Sequence, residues 1–93
     1  RALLGEMPAR RMLVDRVYVP LRDHQAALLE TVQAYLDTGM VLEATARLLF
    51  LHPNTVRYRL RRVGETVGLD PHDARDAWVL QVALALGRIT RRG

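Results

Sequence analysis

The sequence contains no cysteine, no lysine and no serine. The missing cysteines exclude a disulfide framework, a cysteine-based zinc site and a thiol nucleophile, and the missing serines exclude a serine nucleophile. Aromatic residues are few, with one Trp, three Tyr and one Phe, so a core must consist mainly of Leu, Val and Ala. No apolar run approaches the roughly 18 residues of a membrane-spanning helix. A chain of 93 residues with 49% apolar composition predicts one small globular domain.

Histidines and acidic residues are too dispersed to form a catalytic or metal site. The three histidines, His24, His52 and His72, are far apart in the sequence, and none has a second ligand at metal-binding spacing. The ten acidic residues are scattered as well, and there is no glycine-rich loop that would cradle a nucleotide. We therefore expect a protein without enzymatic activity, metal or cofactor.

The N-terminus has no feature of secretion or membrane insertion. It lacks the order of charged, apolar and small residues that defines a signal peptide, and it begins with Arg1 rather than Met. We expect a cytoplasmic, nucleoid-associated fragment of a longer chain, with no membrane partner.

The net charge of +4 is concentrated in one short stretch of the chain. All 14 basic residues are arginines, and residues 53–63 contain four of them without an acidic neighbour: Arg57, Arg59, Arg61 and Arg62. The rest of the chain carries ten arginines and ten acidic residues, so it is neutral. A local excess of positive charge is typical of a surface that binds phosphates.

Glycine and proline divide the sequence into five helical segments, which predicts an all-α fold. A short β-like run at residues 17–21 is interrupted by Pro20 and has no partner strand nearby. The helices are expected near residues 8–17, 24–38, 42–49, 53–67 and 72–89.

Residues at the predicted helix ends have the side chains that such positions favour. Asp23 is the expected N-cap of the second helix, and Gly39 is its expected C-terminal stop. Pro53 suits the first turn of the fourth helix, which should end at Gly68. Asp70, followed by a proline, is the expected N-cap of the last helix.

The third and fourth segments have the lengths of a helix-turn-helix motif: eight residues, a turn of about three, and a longer helix. One narrow side of the fourth helix should be buried and holds Val56, Leu60, Val63 and Val67. The opposite side carries Asn54, Tyr58 and Arg61, flanked by Thr55, Arg57 and Arg62. A recognition helix needs this division, because its back packs on the domain while its front enters the major groove of DNA.

Residues 42–69 resemble the C-terminal helix-turn-helix of PucR/CdaR-type bacterial transcriptional regulators. The resemblance depends on Thr45-Ala46 in the shorter helix and on the run His52-Pro53-Asn54-Thr55-Val56-Arg57-Tyr58-Arg59-Leu60. It extends over roughly residues 12–89, and a factor-for-inversion-like helix-turn-helix is the nearest related shape. Two residues depart from the family pattern, since Pro53 stands where Arg is usual and Phe50 stands where His or Gly is usual.

The resemblance implies a DNA-binding output domain that recognises double-stranded promoter DNA. It also implies an effector-sensing region N-terminal to this chain, and a homodimer as the expected assembly. Within the chain, we expect a lead-in, linker or helix remnant at residues 1–22 and the DNA-binding domain at residues 23–90. The helix-turn-helix core is expected at 42–67, with the recognition helix at about 53–67.

The residues expected to contact DNA lie on the two helices of the motif and in their turn. They are Thr45, His52, Asn54, Thr55, Arg57, Tyr58, Arg61 and Arg62. The arginines suit phosphates or guanine, and Thr45 could bind a phosphate through its hydroxyl. Simpler roles remain open, namely a solvated arginine face and first-turn capping by Asn54 or His52. Arg59 lies closest to the buried side, so a salt bridge to another helix is expected there.

The last helix is apolar on nearly every side. Two interpretations fit this pattern: burial within the domain, or a dimer or partner interface that includes Trp78, Leu80 and Leu84. The competing function is therefore a protein-interaction or dimerisation module that uses helix 72–89. Non-specific architectural binding to DNA is a third alternative.

Overall fold

The computed structural model describes residues 10–92. This part of the chain forms five helices and no strand, which confirms the all-α prediction. The first helix, α1, covers residues 10–24 and contains a π-helical turn at Val14–Tyr18 followed by an α-helical part at Val19–His24. The other helices are α2 (Ala26–Asp37), α3 (Leu42–Leu49), α4 (Pro53–Val67) and α5 (Ala74–Arg92).

α1 continues through Pro20, whereas the sequence predicts a helix at residues 8–17 that stops before this proline. The predicted start at Pro8 lies outside the described residues. At the π-helical turn the Val19 N–H donates to the carbonyl oxygen of Val14, five residues earlier. This wider turn lies directly ahead of Pro20, where a regular α-helix would bring the proline ring against the carbonyl four residues back. The helix therefore continues for another turn.

α1 belongs to the same core as the other helices. Val17, Tyr18 and Leu21 are buried, and Leu21 is fully inaccessible to solvent. Residues 1–22 were predicted to be a lead-in, a linker or a helix remnant; their described part, residues 10–22, is helical and packs into the core. The Tyr18 ring lies directly against Gly87 of α5, at a place where any Cβ atom on residue 87 would overlap the ring.

Both ends of α2 are defined by backbone geometry. The helix begins after Gln25, whose φ and ψ of −139° and 54° break the helical path and whose side chain makes no cap hydrogen bond. The prediction that Asp23 is the N-cap is wrong, because Asp23 lies within α1 and Gln25 holds the N-cap position. At the other end the predicted role of Gly39 is confirmed, since it has a φ of +78° and its N–H donates to the Leu36 carbonyl.

α2 is the central helix, because it contacts all four of the others. α3 and α4 pack against each other and against α2, while α5 packs against α1 and α2. The fully buried side chains of this core include Leu21, Val32, Val56, Leu60, Val63, Leu80 and Leu84. The predicted bounds of α3 and α4 are confirmed, including the end of α4 at Gly68, which has a φ of +76°.

Carboxylates of three aspartates hold the loop between α4 and α5. Asp73 caps α5, because its carboxylate accepts from the backbone N–H of Asp76 at 3.0 Å. Asp76 in turn accepts from the N–H of Asp70. The Asp70 carboxylate accepts from the N–H of His72, and this hydrogen bond is the main cause of its lowered pKa. The cap predicted at Asp70 is therefore at Asp73, and Asp70 closes the turn before it.

α5 buries one side and exposes the other. Leu80 and Leu84 are 0% and 1% exposed and belong to the core, so the prediction that they form a partner interface is wrong. Trp78, the third residue of that set, lies at the surface with 65% of its area exposed. Within residues 10–92 no helix, α5 included, has both the length and the hydropathy needed to cross a bilayer.

The contact between Tyr18 and Gly87 leads to a stability prediction. Gly87→Ala should lower the free energy of unfolding by about 1–3 kcal/mol, because the new methyl group would overlap the rigid base of the ring. Gly64→Ala is the matched control within a helix. A Cβ there would lie 3.4 Å from the Leu69 carbonyl oxygen, an ordinary contact, so the better helix propensity should stabilise by about 0.5–1 kcal/mol. Urea unfolding monitored by circular dichroism measures both, and equal effects would contradict the packing described.

Candidate nucleic-acid interface

The turn between α3 and α4 is closed by a backbone hydrogen bond and a helix cap. The N–H of Leu51 donates to the carbonyl of Ala46 at 2.9 Å. Phe50, just before it, adopts the left-handed conformation (φ 57°, ψ 44°) that glycine favours at such helix ends. His52 is exposed and N-caps α4, since its Nδ1 accepts from the Asn54 N–H at 3.0 Å. These interactions fix the direction in which α4 leaves the turn.

The inner side of α4 anchors the helix in the core. Val56, Leu60 and Val63 are fully buried in a cluster to which α2 and α3 also contribute. Burial of each such side chain contributes about 1.5–3 kcal/mol. Arg59 lies beside this inner side, where its guanidinium donates to the Thr31 hydroxyl of α2 at 3.3 Å. This hydrogen bond is found in place of the salt bridge predicted for Arg59.

The outer side of α4 faces away from the core and brings the central predicted residues together. Tyr58 is 53% exposed, and the guanidinium carbon of Arg61 lies 6.0 Å from the centre of its ring. One turn earlier, the guanidinium of Arg57 donates a hydrogen bond to the side-chain oxygen of Asn54 at 2.7 Å. Thr55 is half-buried beside them. We call the surface formed by Asn54, Arg57, Tyr58 and Arg61 the reading face.

Glu65, which the charge pattern did not reveal, lies on the same side of α4 one turn beyond Arg61. Its carboxylate accepts from Arg62 at 2.7 Å, and this hydrogen bond raises the pKa of Arg62. The i, i+3 spacing of Arg62 and Glu65 is the sequence feature that could have predicted this pair. Arg62 is therefore compensated within the helix, while the described residues contain no acidic partner for Arg57 or Arg61.

Thr45 does not reach the surface. It is 0% exposed, and its hydroxyl donates to the Val41 carbonyl at 2.8 Å. The same oxygen lies 3.0 Å from the hydroxyl of Thr38, at the end of α2. The prediction that Thr45 contacts a phosphate is therefore wrong, because this hydroxyl is buried and joins α3 to α2.

The sequence is similar to parts of longer bacterial regulators. The model of the family described as the PucR C-terminal helix-turn-helix domain matches residues 28–86. A carbohydrate diacid regulator of Escherichia coli is 33% identical over 85 residues, which cover 91% of this chain and 22% of that protein. A purine catabolism regulatory protein of Bacillus subtilis is 36% identical over 63 residues, which cover 68% of this chain and 12% of that protein. The chain thus spans about a fifth or less of the length of these relatives.

A solved structure shares the fold over nearly the whole chain. It is a regulator of polyketide synthase expression from Bifidobacterium adolescentis, with a TM-score of 0.88 and 49% sequence identity. The match covers 96% of this chain and 38% of that one. An uncharacterised protein of Mycobacterium tuberculosis is 51% identical over 89 residues, which are 22% of its own length.

The strained turn residue leads to a second stability prediction. Phe50 is 94% exposed, so its side chain gains almost no burial that would offset the cost of a positive φ. Phe50→Gly should therefore raise the free energy of unfolding by up to about 1 kcal/mol. Gly39→Ala is the matched control, because Gly39 has the same backbone role at the end of α2 and should lose about 1 kcal/mol. Thermal unfolding measures both, and a destabilised Phe50→Gly variant would contradict the prediction.

Proposed function

The chain belongs to the PucR C-terminal helix-turn-helix family of bacterial transcriptional regulators, and we propose that it binds double-stranded promoter DNA in a sequence-specific manner. α4 is the recognition helix in this proposal. The observation that carries it is the reading face, where Arg57 and Arg61 have no acidic partner among residues 10–92 and lie on a helix whose other side is buried. The family match supports the same role.

The chemistry of the reading face suits the major groove, which is wide enough to admit an α-helix. Arg57 and Arg61 suit phosphate oxygens or the O6 and N7 acceptors of guanine, and the side-chain N–H of Asn54, whose oxygen holds Arg57, suits a base acceptor such as N7 of adenine. Tyr58 adds a hydroxyl and a ring next to Arg61. Thr55 and His52 flank the N-terminus of α4, where the helix dipole favours a phosphate.

Two contacts within the reading face reduce the entropic cost of binding. The Asn54 oxygen holds the Arg57 guanidinium, and the Tyr58 ring restricts that of Arg61. An ordered side chain loses less rotamer freedom when it binds, so more of its interaction energy contributes to affinity. Arg62 extends the positive surface, although its pair with Glu65 must rearrange before it can neutralise a phosphate fully.

The longer relatives support a role for this chain as one part of a regulator. We propose that it is the output domain, that an effector-sensing region lies N-terminal to it in the parent protein, and that the working assembly is a homodimer. The relatives named above are regulators of carbohydrate diacid use and purine catabolism, which supports transcriptional control rather than catalysis.

A second candidate function is interaction with another protein through α5. The exposed Trp78 and Ile89 favour it, because they lie on the same side of α5 and exposed apolar residues that form a patch mark contact sites. This function is compatible with DNA binding, since α5 and the reading face lie on different helices. Sedimentation beside a gel-shift assay separates the two: association without DNA affinity at low salt would favour interaction alone.

The reading face leads to a direct test of DNA binding. Arg61→Ala should weaken binding to a promoter duplex and lower the log–log salt slope by about 0.9 if one phosphate contact is lost. Arg75→Ala removes the same charge at an exposed position of α5 and is the matched control. Fluorescence anisotropy at increasing salt measures both, with random duplex as competitor. A specific reader should prefer its site by at least about 10³, and equal affinities of the two variants would overturn the proposal.

The Arg62–Glu65 pair leads to a prediction in the opposite direction. Glu65→Gln should strengthen binding to any duplex and steepen the salt slope by up to about 0.9, because Arg62 is then free to neutralise a phosphate. Glu30→Gln removes an exposed negative charge from α2 and serves as the control for total charge. The same anisotropy titration measures both. If Glu65 instead accepts a hydrogen bond from a base, affinity for the selected site would fall, which would contradict this prediction.

A further inference from the structure

Phe50, in the turn between α3 and α4, has the backbone of a helix-ending glycine. Its own N–H and that of the next residue both donate to carbonyl oxygens of the last turn of α3. Gly39 ends α2 with the same pair of hydrogen bonds, and Gly68 ends α4 with a φ of +76°. At the ends of these three helices the left-handed position is thus held twice by glycine and once, directly ahead of the reading face, by phenylalanine.

The Phe50 side chain does nothing for the free domain. Met40 is the other non-glycine residue with a positive φ among residues 10–92, and its side chain packs against the core, which offsets the strain. Phe50 is 94% exposed, so its ring has no such compensation. Strained residues that the fold does not require are typical of functional sites.

The charge around Phe50 indicates what covers the ring. Residues 44–64 contain five arginines and no acidic residue, and Phe50 lies within this stretch. Two of these arginines, Arg57 and Arg61, belong to the reading face and have no acidic partner in the described part of the chain. Charge complementarity therefore favours a polyanion at this surface, and DNA is the polyanion that the proposed function supplies.

Phe50 is close enough to the start of α4 to reach the same groove. Three Cα–Cα steps separate it from Pro53, the first residue of α4, so the two Cα atoms lie at most about 11 Å apart. The major groove is about 12 Å wide. Because the N-terminal residues of a recognition helix contact base edges, a ring that stands out at this distance lies within one groove width of those bases.

We propose that the Phe50 ring contacts the C5-methyl group of a thymine in the major groove, next to the bases that the reading face contacts. The thymine methyl is the apolar group that base pairs present there, whereas the other groups are hydrogen-bond donors and acceptors. The arginines and Asn54 recognise donors and acceptors, so Phe50 adds a different kind of recognition. The inference rests on the proposed function and deepens it by adding a residue that determines specificity.

The proposal gives the strain at residue 50 a purpose. The left-handed backbone and its two hydrogen bonds hold the base of the side chain in one place before DNA arrives, which lowers the entropic cost of the contact. Stability and affinity should therefore change in opposite directions at this position. Phe50→Gly should unfold less readily, as expected above, and yet bind its site more weakly.

The test uses the unmodified chain and the duplex that it selects from a random pool. Replacing each thymine of that duplex in turn by deoxyuridine removes one methyl group and leaves the hydrogen-bonding groups in place. At one position this change should weaken binding of the unmodified chain about fourfold, the value of one buried methyl group. Phe50→Gly should bind the unaltered duplex about tenfold more weakly, and the same replacement should then have no further effect.

Two further variants separate the ring from the backbone. Phe50→Asn keeps a residue that tolerates the left-handed conformation but lacks the ring, so it should bind as weakly as Phe50→Gly. Phe50→Tyr keeps the ring and should retain most of the affinity. The salt slope should be the same in all of these variants, because no phosphate contact is lost, in contrast to Arg61→Ala.

Several results would overturn the contact. Unchanged affinity of Phe50→Gly would show that DNA does not cover the ring, and full affinity of Phe50→Asn would assign the loss in Phe50→Gly to the backbone. A deoxyuridine effect that persists in Phe50→Gly would assign the methyl group to another side chain. A loss in Phe50→Gly without an effect of any deoxyuridine would place the ring on the sugar–phosphate backbone instead of a thymine.

The same titrations separate this inference from the proposed function. If the unmodified chain does not prefer its selected duplex over random duplex, sequence-specific binding fails, and the thymine contact fails with it. If the preference is present and any of the results above is found, the thymine contact alone is wrong. Thermal unfolding of each variant shows that a weaker binder is still folded.

Discussion

The burial of one side of α4 against α2 and α3 is the constraint on which the interface depends. Val56, Leu60 and Val63 have no solvent exposure. A rotation of α4 by a single residue, about 100°, would carry arginine side chains toward the core. Burying an unpaired arginine there would cost several kcal/mol, so the rotated helix would be much less stable than the observed one. The apolar side therefore determines which side chains of α4 face outward, and the closed turn before Pro53 determines where the helix starts.

The four arginines of α4 do not contribute equally to its exposed positive charge. The sequence places four arginines on this helix, but the structure gives them different surroundings. Arg59 is held by a hydroxyl of α2, and Arg62 is held by Glu65. Arg57 and Arg61 are exposed, and both are oriented by neutral groups, an amide oxygen and an aromatic ring. Neutral partners leave the full charge available for phosphates, whereas a carboxylate would cancel it at short range.

Local signals predicted most of the fold, because they depend on residues close in sequence. The bounds of α3 and α4, the stop at Gly39 and the cap at His52 depend on backbone geometry within a single turn. Asp23 and Asp70 were mistaken for caps because each stands a few residues ahead of a helix, and only the folded backbone decides which residue lies at the first open N–H groups. The π-helical turn ahead of Pro20 has no comparable sequence signature.

Side chains whose surroundings come from distant parts of the chain could not be placed from the sequence. Thr45 looks like a polar surface residue, yet packing between α2 and α3 buries it beside Thr38. Leu80 and Leu84 lie on a helix that is apolar nearly all round, so no periodicity distinguished its buried side from Trp78. The reading face was predictable because the apolar side of α4 is narrow and its opposite side is strongly polar.

The contact of Tyr18 with Gly87 has a mechanical consequence for the two helices that it joins. Gly87 is the only residue of α5 between Ala74 and Ile89 without a Cβ atom. It is therefore the only position along that length where the ring can approach the helix so closely. A slide of α1 by one residue in either direction would place the ring over a side chain. Because of this contact, α1 and α5 either keep this register or lose the packing between them. A shift of α1 along α5 therefore requires the contact between Tyr18 and Gly87 to be broken first.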